Sequence, residues 1–266
     1  MTRTAAFAAV VLVLAAGCSP PASVEEKGQP AQQSKPPATG PAEKPAQPTE
    51  SKAPGPAQET SPAAPKPGPE AGTQVIQLFN GKDLDGWKIL SEDWFTDHGK
   101  VYVKDGAIYL DPGNAQTGIS WKGEFPRTDY EVSLEAKRVE GEDFFCGMTF
   151  PIGEGGFATW IVGGWGGHVV GLSNVDGANA SENQTTKSME FEKDRWYSLR
   201  LLVTDERIEC WIDLEKIIDL ARGDHKFAVW PNQESVRPFG VATWHTGGAL
   251  KNFRLRRLAP IPGAKP

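Results

Sequence analysis

Between Tyr130 and Lys137 apolar and polar side chains alternate without a break: Tyr130, Val132, Leu134 and Ala136 against Glu131, Ser133, Glu135 and Lys137. A period of two places one set on each face of a strand, one face buried and the other wet. Val101-Tyr102-Val103 and Ala107-Ile108-Tyr109-Leu110 flank Lys104-Asp105-Gly106. Asp-Gly tolerates the positive φ angles of a tight turn, so this stretch predicts a hairpin. A second hairpin is predicted from Trp196 to Val203 and Ile208 to Ile212 around Thr204-Asp205-Glu206-Arg207, and Phe239 to His245 with Ala249 to Leu258 supply a last pair of strands. The helical period is not sustained for three turns, which leaves no crossovers for a parallel sheet. The pattern therefore predicts an all-β fold, a sandwich or jelly roll of antiparallel strands.

The amino terminus follows a different pattern. Arg3 precedes an apolar run from Ala5 to Ala16, too short to span a bilayer as a permanent helix and of the length of a signal peptide. It ends in Leu14-Ala15-Ala16-Gly17-Cys18, where small residues suit a lipoprotein signal peptidase and the Cys18 thiol takes the lipid. Residues 1–18 are thus expected to be a lipoprotein signal peptide with Cys18 as the lipidation site; the alternative is ordinary secretory cleavage nearby. Either way the chain is exported, and with the lipid it is anchored to the envelope membrane with its domain outside the cytoplasm. Residues 19–72 are rich in Pro, Ala, Lys, Glu, Gln and Ser and nearly devoid of core-forming residues, as expected of a disordered linker. Fully extended, such a tether reaches on the order of 150 Å. A single domain over 73–260 and a disordered tail over 261–266 complete the expected organisation.

Charge narrows the partners. The net charge is −6, from 28 basic and 34 acidic residues, and the domain has no run of Lys or Arg to track phosphates, so nucleic acid is not an expected partner. Cys146 and Cys210 lie in apolar strand patterns, either as a disulfide or as two buried thiols.

Leu78-Phe79-Asn80-Gly81-Lys82-Asp83-Leu84-Asp85-Gly86-Trp87 resembles the opening of the 3-keto-disaccharide hydrolase domain family, and Gly240 followed by Lys251-Asn252-Phe253-Arg254-Leu255-Arg256 resembles its closing strands. The resemblance runs from Val75 to Leu258. It implies a concanavalin-like jelly-roll sandwich of two antiparallel sheets and hydrolysis of sugars oxidised to a ketone at C3. This chain departs from the family pattern at Glu142-Asp143-Phe144-Phe145-Cys146-Gly147, where many members carry Asn-Ser-Gly, and in the glycine-rich stretch that follows.

A C3 ketone acidifies the neighbouring C2 proton, so one base and one group that steadies the enolate oxygen suffice for elimination, with water adding afterwards. Asp143 or Glu142 is the expected base and His245 the acid or enolate partner. Sugar faces stack on aromatic rings, which makes Trp211, on the strand face shared with Glu209 and Asp213, a candidate contact; packing is its other reading. Phe157 to His168 is a glycine-rich segment whose Trp160, Trp165 and His168 suit either a binding rim or a strand bend. Asn174, Asp176 and Glu182 belong to an oxygen-rich loop with Gly177, Asn179 and Asn183, read as a calcium site or a solvated turn. The four histidines lack zinc-binding spacing. Two functional classes stay open: a hydrolase or lyase of oxidised glycosides, and a non-catalytic carbohydrate-binding or adhesion module on a tether.

Overall fold

The alternation that begins at Tyr130 is realised as an eleven-residue strand whose Tyr130, Val132, Leu134 and Ala136 are all buried. The computed structural model describes residues 75–258. The expected signal peptide with Cys18, the linker to residue 72 and the tail 261–266 lie outside the described residues.

Fifteen strands are described. The first seven are β1 (Val75–Gln77), β2 (Trp87–Ile89), β3 (Val101–Lys104), β4 (Ala107–Leu110), β5 (Gln116–Trp121), β6 (Tyr130–Glu140) and β7 (Cys146–Ile152). There follow β8 (Gly156–Gly163), β9 (Val169–Ser173), β10 (Lys187–Ser188), β11 (Tyr197–Val203), β12 (Arg207–Ile212), β13 (Glu215–Ala221), β14 (Gly240–Trp244) and β15 (Gly247–Arg257). They form two antiparallel sheets. Sheet A runs β13-β12-β11-β6-β15-β4-β3, with β1 also on β15, and sheet B runs β10-β9-β8-β7-β14-β5-β2. The chain passes back and forth between the sheets, giving the expected all-β jelly-roll sandwich. The predicted hairpins are present. Asp105 and Gly106 both take positive φ between β3 and β4, and β11 pairs with β12 around the second predicted turn, whereas β14 and β15, joined by His245-Thr246 alone, lie in different sheets. Among the described residues the longest helical piece is a six-residue 3₁₀ turn, Pro231–Val236.

One core fills the space between the sheets. Sheet A contributes Val132, Leu134, Leu199 and Leu201, and sheet B contributes Met148, Phe150, Trp160 and Leu172. The opening motif serves this core. Trp87 packs on Trp121 and Phe253 at ring-centre distances of 5.3 and 5.0 Å and donates its indole N–H to the Leu78 carbonyl at 2.8 Å. Gly86 permits the approach: its φ is +80°, and a Cβ there would stand 2.5 Å from the Trp121 ring. Cys146 and Cys210 are separate buried thiols, one in each sheet, so the buried-thiol reading holds and the disulfide does not.

The outer faces differ. Sheet A's is polar and wet, with Glu131 paired to Arg200 and Arg256, Glu135 to Lys251, and Glu209 to Lys216. Sheet B is covered on its outer face as well. Phe95, from the 3₁₀ turn Asp93–Phe95, and Val236 pack with Leu90 and Ala242, while Phe144, Ile161 and Ala180 form a neighbouring cluster against Trp244. Every residue of β7 is therefore buried, and its sequence shows no alternation.

Candidate functional site

The cover over sheet B is incomplete, and the gap is a cavity of about 440 Å³. Its walls come from five places in the chain: Asp143 and Phe144 before β7, Ile161 of β8 with Trp165 of the β8–β9 turn, Ser173 and Asn179 at the end of β9 and beyond, Trp230 with Asn232 and Gln233 before β14, and Trp244 at the end of β14.

Each wall is pinned by local chemistry. The β8–β9 turn carries successive positive φ values at Trp165 (49°), Gly166 (82°) and Gly167 (94°), which curl its backbone N–H groups toward one point. That point is Asp143, whose carboxylate accepts the Phe144 N–H at 2.7 Å and faces the N–H groups of Trp165 and Gly166, which favour its charged form. The Asp143 backbone N–H donates to the buried Thr246 hydroxyl at 2.8 Å. On the opposite wall, buried Gln233 accepts a hydrogen bond from Thr149 Oγ1 at 3.4 Å, with Thr149 also 2.8 Å from Thr159, and so ties Trp230 and Asn232 to the sheet. Asn183 organises the third wall, donating to the carbonyls of Leu172, Ala178 and Asn179 and accepting from Thr185.

The electrostatics centre on Asp143. Burial raises its carboxyl above the ordinary value, against the opposing pull of the three backbone N–H groups and the nearby charge of His245. Asn232 supplies the complementary character: its side-chain carbonyl is buried without a hydrogen-bond partner among the described residues. Trp165 and Trp230 leave 43% and 40% of their surface exposed, an uncommon state for indoles in a folded domain. A half-buried carboxylate, unpaired amide oxygen and aromatic walls are what a sugar ring needs, offering apolar faces to its C–H groups and acceptors to its hydroxyls.

The sequence candidates separate on this geometry. Asp143 and Trp165 line the cavity together. His245 is exposed beside it, its ring edge-on to Trp244 at 5.1 Å and its backbone N–H on the Ala115 carbonyl at 2.9 Å. Glu142 and His168 are exposed and outside the cavity lining. Trp160 is a correction: it is fully buried between the sheets and presents no surface to a ligand. Trp211 does face outward as its strand register implies, but from sheet A, on the other side of the sandwich, where the Arg200 guanidinium covers it at 3.5 Å. The calcium reading is corrected too. Asp176 accepts from His225 at 2.6 Å and from the Lys226 N–H at 2.8 Å, while Glu182 accepts from Asn179, so their carboxylates are spent on separate partners. Asn174 shares no hydrogen bond with either. Those bonds hold the Asp176 carboxyl below its usual range, and among the described residues no group of three His, Cys, Asp or Glu converges for a metal.

Sequence reasoning missed Trp230, Asn232, Gln233 and Trp244, and it read Asn179 only as a loop oxygen. One signal was available: Trp230 stands beside Pro231 and Asn232 in a polar connection, where an indole has no strand face to bury.

Residues 74–256, more than half of the chain, match the family model described as a 3-keto-alpha-glucoside-1,2-lyase-like domain. No curated protein matches the sequence. Among solved structures, the chain is similar to a putative glycosyl hydrolase from Parabacteroides distasonis ATCC 8503, at 15% identity over 70% of this chain and 94% of that one, with a TM-score of 0.43. It is also similar to the Crh5 transglycosylase in complex with NAG (11% identity, 71% and 85% coverage, TM-score 0.48) and to the carbohydrate binding module CBM66 from Bacillus subtilis (14% identity, 64% and 94% coverage, TM-score 0.40).

Proposed function

The chain belongs to the 3-keto-alpha-glucoside-1,2-lyase-like domain family, and from that premise we propose that it cleaves 3-keto-disaccharides or related oxidised glycosides, with Asp143 as the general base. The observation that carries this reading is the placement of Asp143: a carboxylate raised by burial, set in the wall of a cavity lined by Trp165, Trp230 and Trp244.

The chemistry asks little of the protein. The Asp143 carboxylate takes the C2 proton, the electrons of that C–H bond form the C1–C2 double bond, and the C1–O bond breaks with its electrons leaving on the glycosidic oxygen, which gains a proton. Negative charge that builds on the C3 oxygen during proton removal needs a donor, and His245 beside the cavity and the amide of Gln233 within it are the groups placed to supply one. Water then adds across the double bond, so the net result is hydrolysis. Raising the base toward neutrality favours this step, because a stronger base removes the weakly acidic carbon proton faster.

The test is incubation of the purified protein with 3-keto and unoxidised disaccharides in D2O, with released monosaccharide followed by mass spectrometry. Product from the keto sugars alone, carrying deuterium at C2 and lost in Asp143→Asn, is the expected result. The exposed tryptophans favour a second reading, a non-catalytic sugar-binding module; saturable binding with no product would select it.

The same proposal places the domain outside the cytoplasm, on a lipid carried by Cys18 at the end of Leu14-Ala15-Ala16-Gly17-Cys18. Cells fed a labelled fatty acid should incorporate the label into the full-length protein but not into Cys18→Ala, and an unlabelled wild-type protein would refute the anchor.

A further inference from the structure

Next to the main cavity lies a second cleft, of about 350 Å³, bounded by Asp93, Trp94 and Asp97 on one side and Asn114 with Ala115 on the other. It is not a separate feature of the surface. Trp94, which lines the second cleft, and Trp244, which lines the first, stand with ring centres 6.3 Å apart, and Trp244 continues to Phe144 at 6.5 Å. The three aromatic rings thus form a continuous ridge from one depression to the next. Trp94 is 49% exposed, so its indole is available to a ligand.

Gln116 adds an independent observation. It pairs in register with Trp244, and strand alternation places it on the same face as Gly118, whose Cβ direction meets Phe95 and Ala242 under the Trp94 turn. Its side chain is fully buried, yet neither the amide oxygen nor the amide nitrogen has a hydrogen-bond partner among the described residues. An unpaired buried amide costs stability unless water or ligand satisfies it, and this one lies beneath the ridge, next in the chain to Ala115 of the second cleft and paired in register with Trp244 of the first. Asn232 repeats the arrangement in the first cavity.

We infer that the Trp94 cleft is a second sugar subsite, which receives the unit joined to the one held at Asp143. This rests on the proposed reading of the main cavity and gives it direction: the leaving part of the substrate lies toward Trp94, Asp97 and Asn114. Stacking on an indole and hydroxyl bonds to carboxylate and amide oxygens recognise a sugar there, whereas a small alkyl group makes neither contact.

The test compares a 3-keto-disaccharide with the matching methyl 3-keto-glycoside by calorimetric titration, in an Asp143→Asn background so that neither is consumed. The disaccharide should bind about tenfold more tightly, Trp94→Ala should erase that difference without weakening the methyl glycoside, and Trp94→Phe should restore most of it. Equal binding of the two ligands, or equal weakening of both by Trp94→Ala, overturns the subsite. Turnover is followed separately with Asp143 intact. Length-dependent binding with no product from either ligand would refute the elimination chemistry and leave the subsite standing, while no binding of either ligand overturns both.

Discussion

The carboxylate of Asp143 faces the backbone N–H of Trp165, so the candidate base and the rim tryptophan meet at the same turn. The arrangement suits a turn with three successive residues at positive φ, because the N–H groups it turns inward face an anion. It also couples two functions. Asp143→Ala would remove the base and loosen the aromatic wall at once, whereas Asp143→Asn removes the base and keeps an acceptor oxygen toward the turn.

Asp143 should give activity and stability opposite pH dependences. Burial raises its folded carboxyl above the unfolded value of about 3.9. Between the two values the folded state therefore holds more protons than the unfolded state, and the contribution of Asp143 to stability, complete at acid pH, is lost as pH rises through that window. A general base works only when deprotonated, so kcat/KM should rise over the same window and then level. The checks are a pH–rate profile from about pH 4 to 8 and the Tm difference between wild type and Asp143→Asn over that range. A rate limb at or below the ordinary carboxylate value would rule Asp143 out as the base.

Much of the sandwich was legible because sheet A has one dry face and one wet face. The alternation in β6, the Asp105-Gly106 turn and the β11–β12 hairpin are direct records of that arrangement. Sheet B obscures its pattern, since β7 is buried throughout and β8 almost so, beneath a cover that brings Phe95 and Val236 onto Ala242 and brings Phe144 and Ala180 onto Ile161. The site was legible only in part for the same reason: it is built on sheet B's covered face. Asp143 and Trp165 could be picked out from unusual local sequence, but their partners Trp230, Asn232 and Trp244 are distant in the chain, and no periodicity links them. Trp160 and Trp165 illustrate the ambiguity. They are five residues apart in one glycine-rich segment, yet one is core and the other rim, because the strand ends between them at Gly163.

Trp160 should tolerate a ring and nothing smaller. Its side chain fills the space between the sheets, so Trp160→Ala should cost about 3–5 kcal/mol in chemical denaturation. Its indole N–H has no partner among the described residues, so Trp160→Phe discards an unpaired polar group along with some volume and should cost clearly less. Sugar affinity in Trp160→Phe should equal that of wild type; a loss of binding at full stability would contradict its placement in the core.

The two domain thiols should be silent in the folded protein. Cys146 and Cys210 are fully buried, and burial pushes both thiols well above their ordinary range, which suppresses the reactive thiolate. A thiol reagent should label neither in the native state and both after denaturation, and reductant should leave Tm unchanged. A drop in Tm on reduction would reveal a disulfide.

Gly118 should link stability to the second sugar subsite. A Cβ at this position would stand 2.7 Å from the Phe95 ring and 3.1 Å from the Val241 carbonyl, closer than the packing allows. The carbonyl belongs to the β14 backbone and cannot yield easily, whereas Phe95 sits in a three-residue 3₁₀ turn that can. The strain is therefore relieved by moving Phe95, and Trp94 moves with it. Gly118→Ala should lose about 1–3 kcal/mol of stability, the usual cost of overpacking. At a temperature where the variant is fully folded, it should also lose the preference for a disaccharide over a methyl glycoside while still binding the latter, as titration of both ligands would reveal. An intact preference would mean that the Trp94 turn is held by contacts other than Phe95.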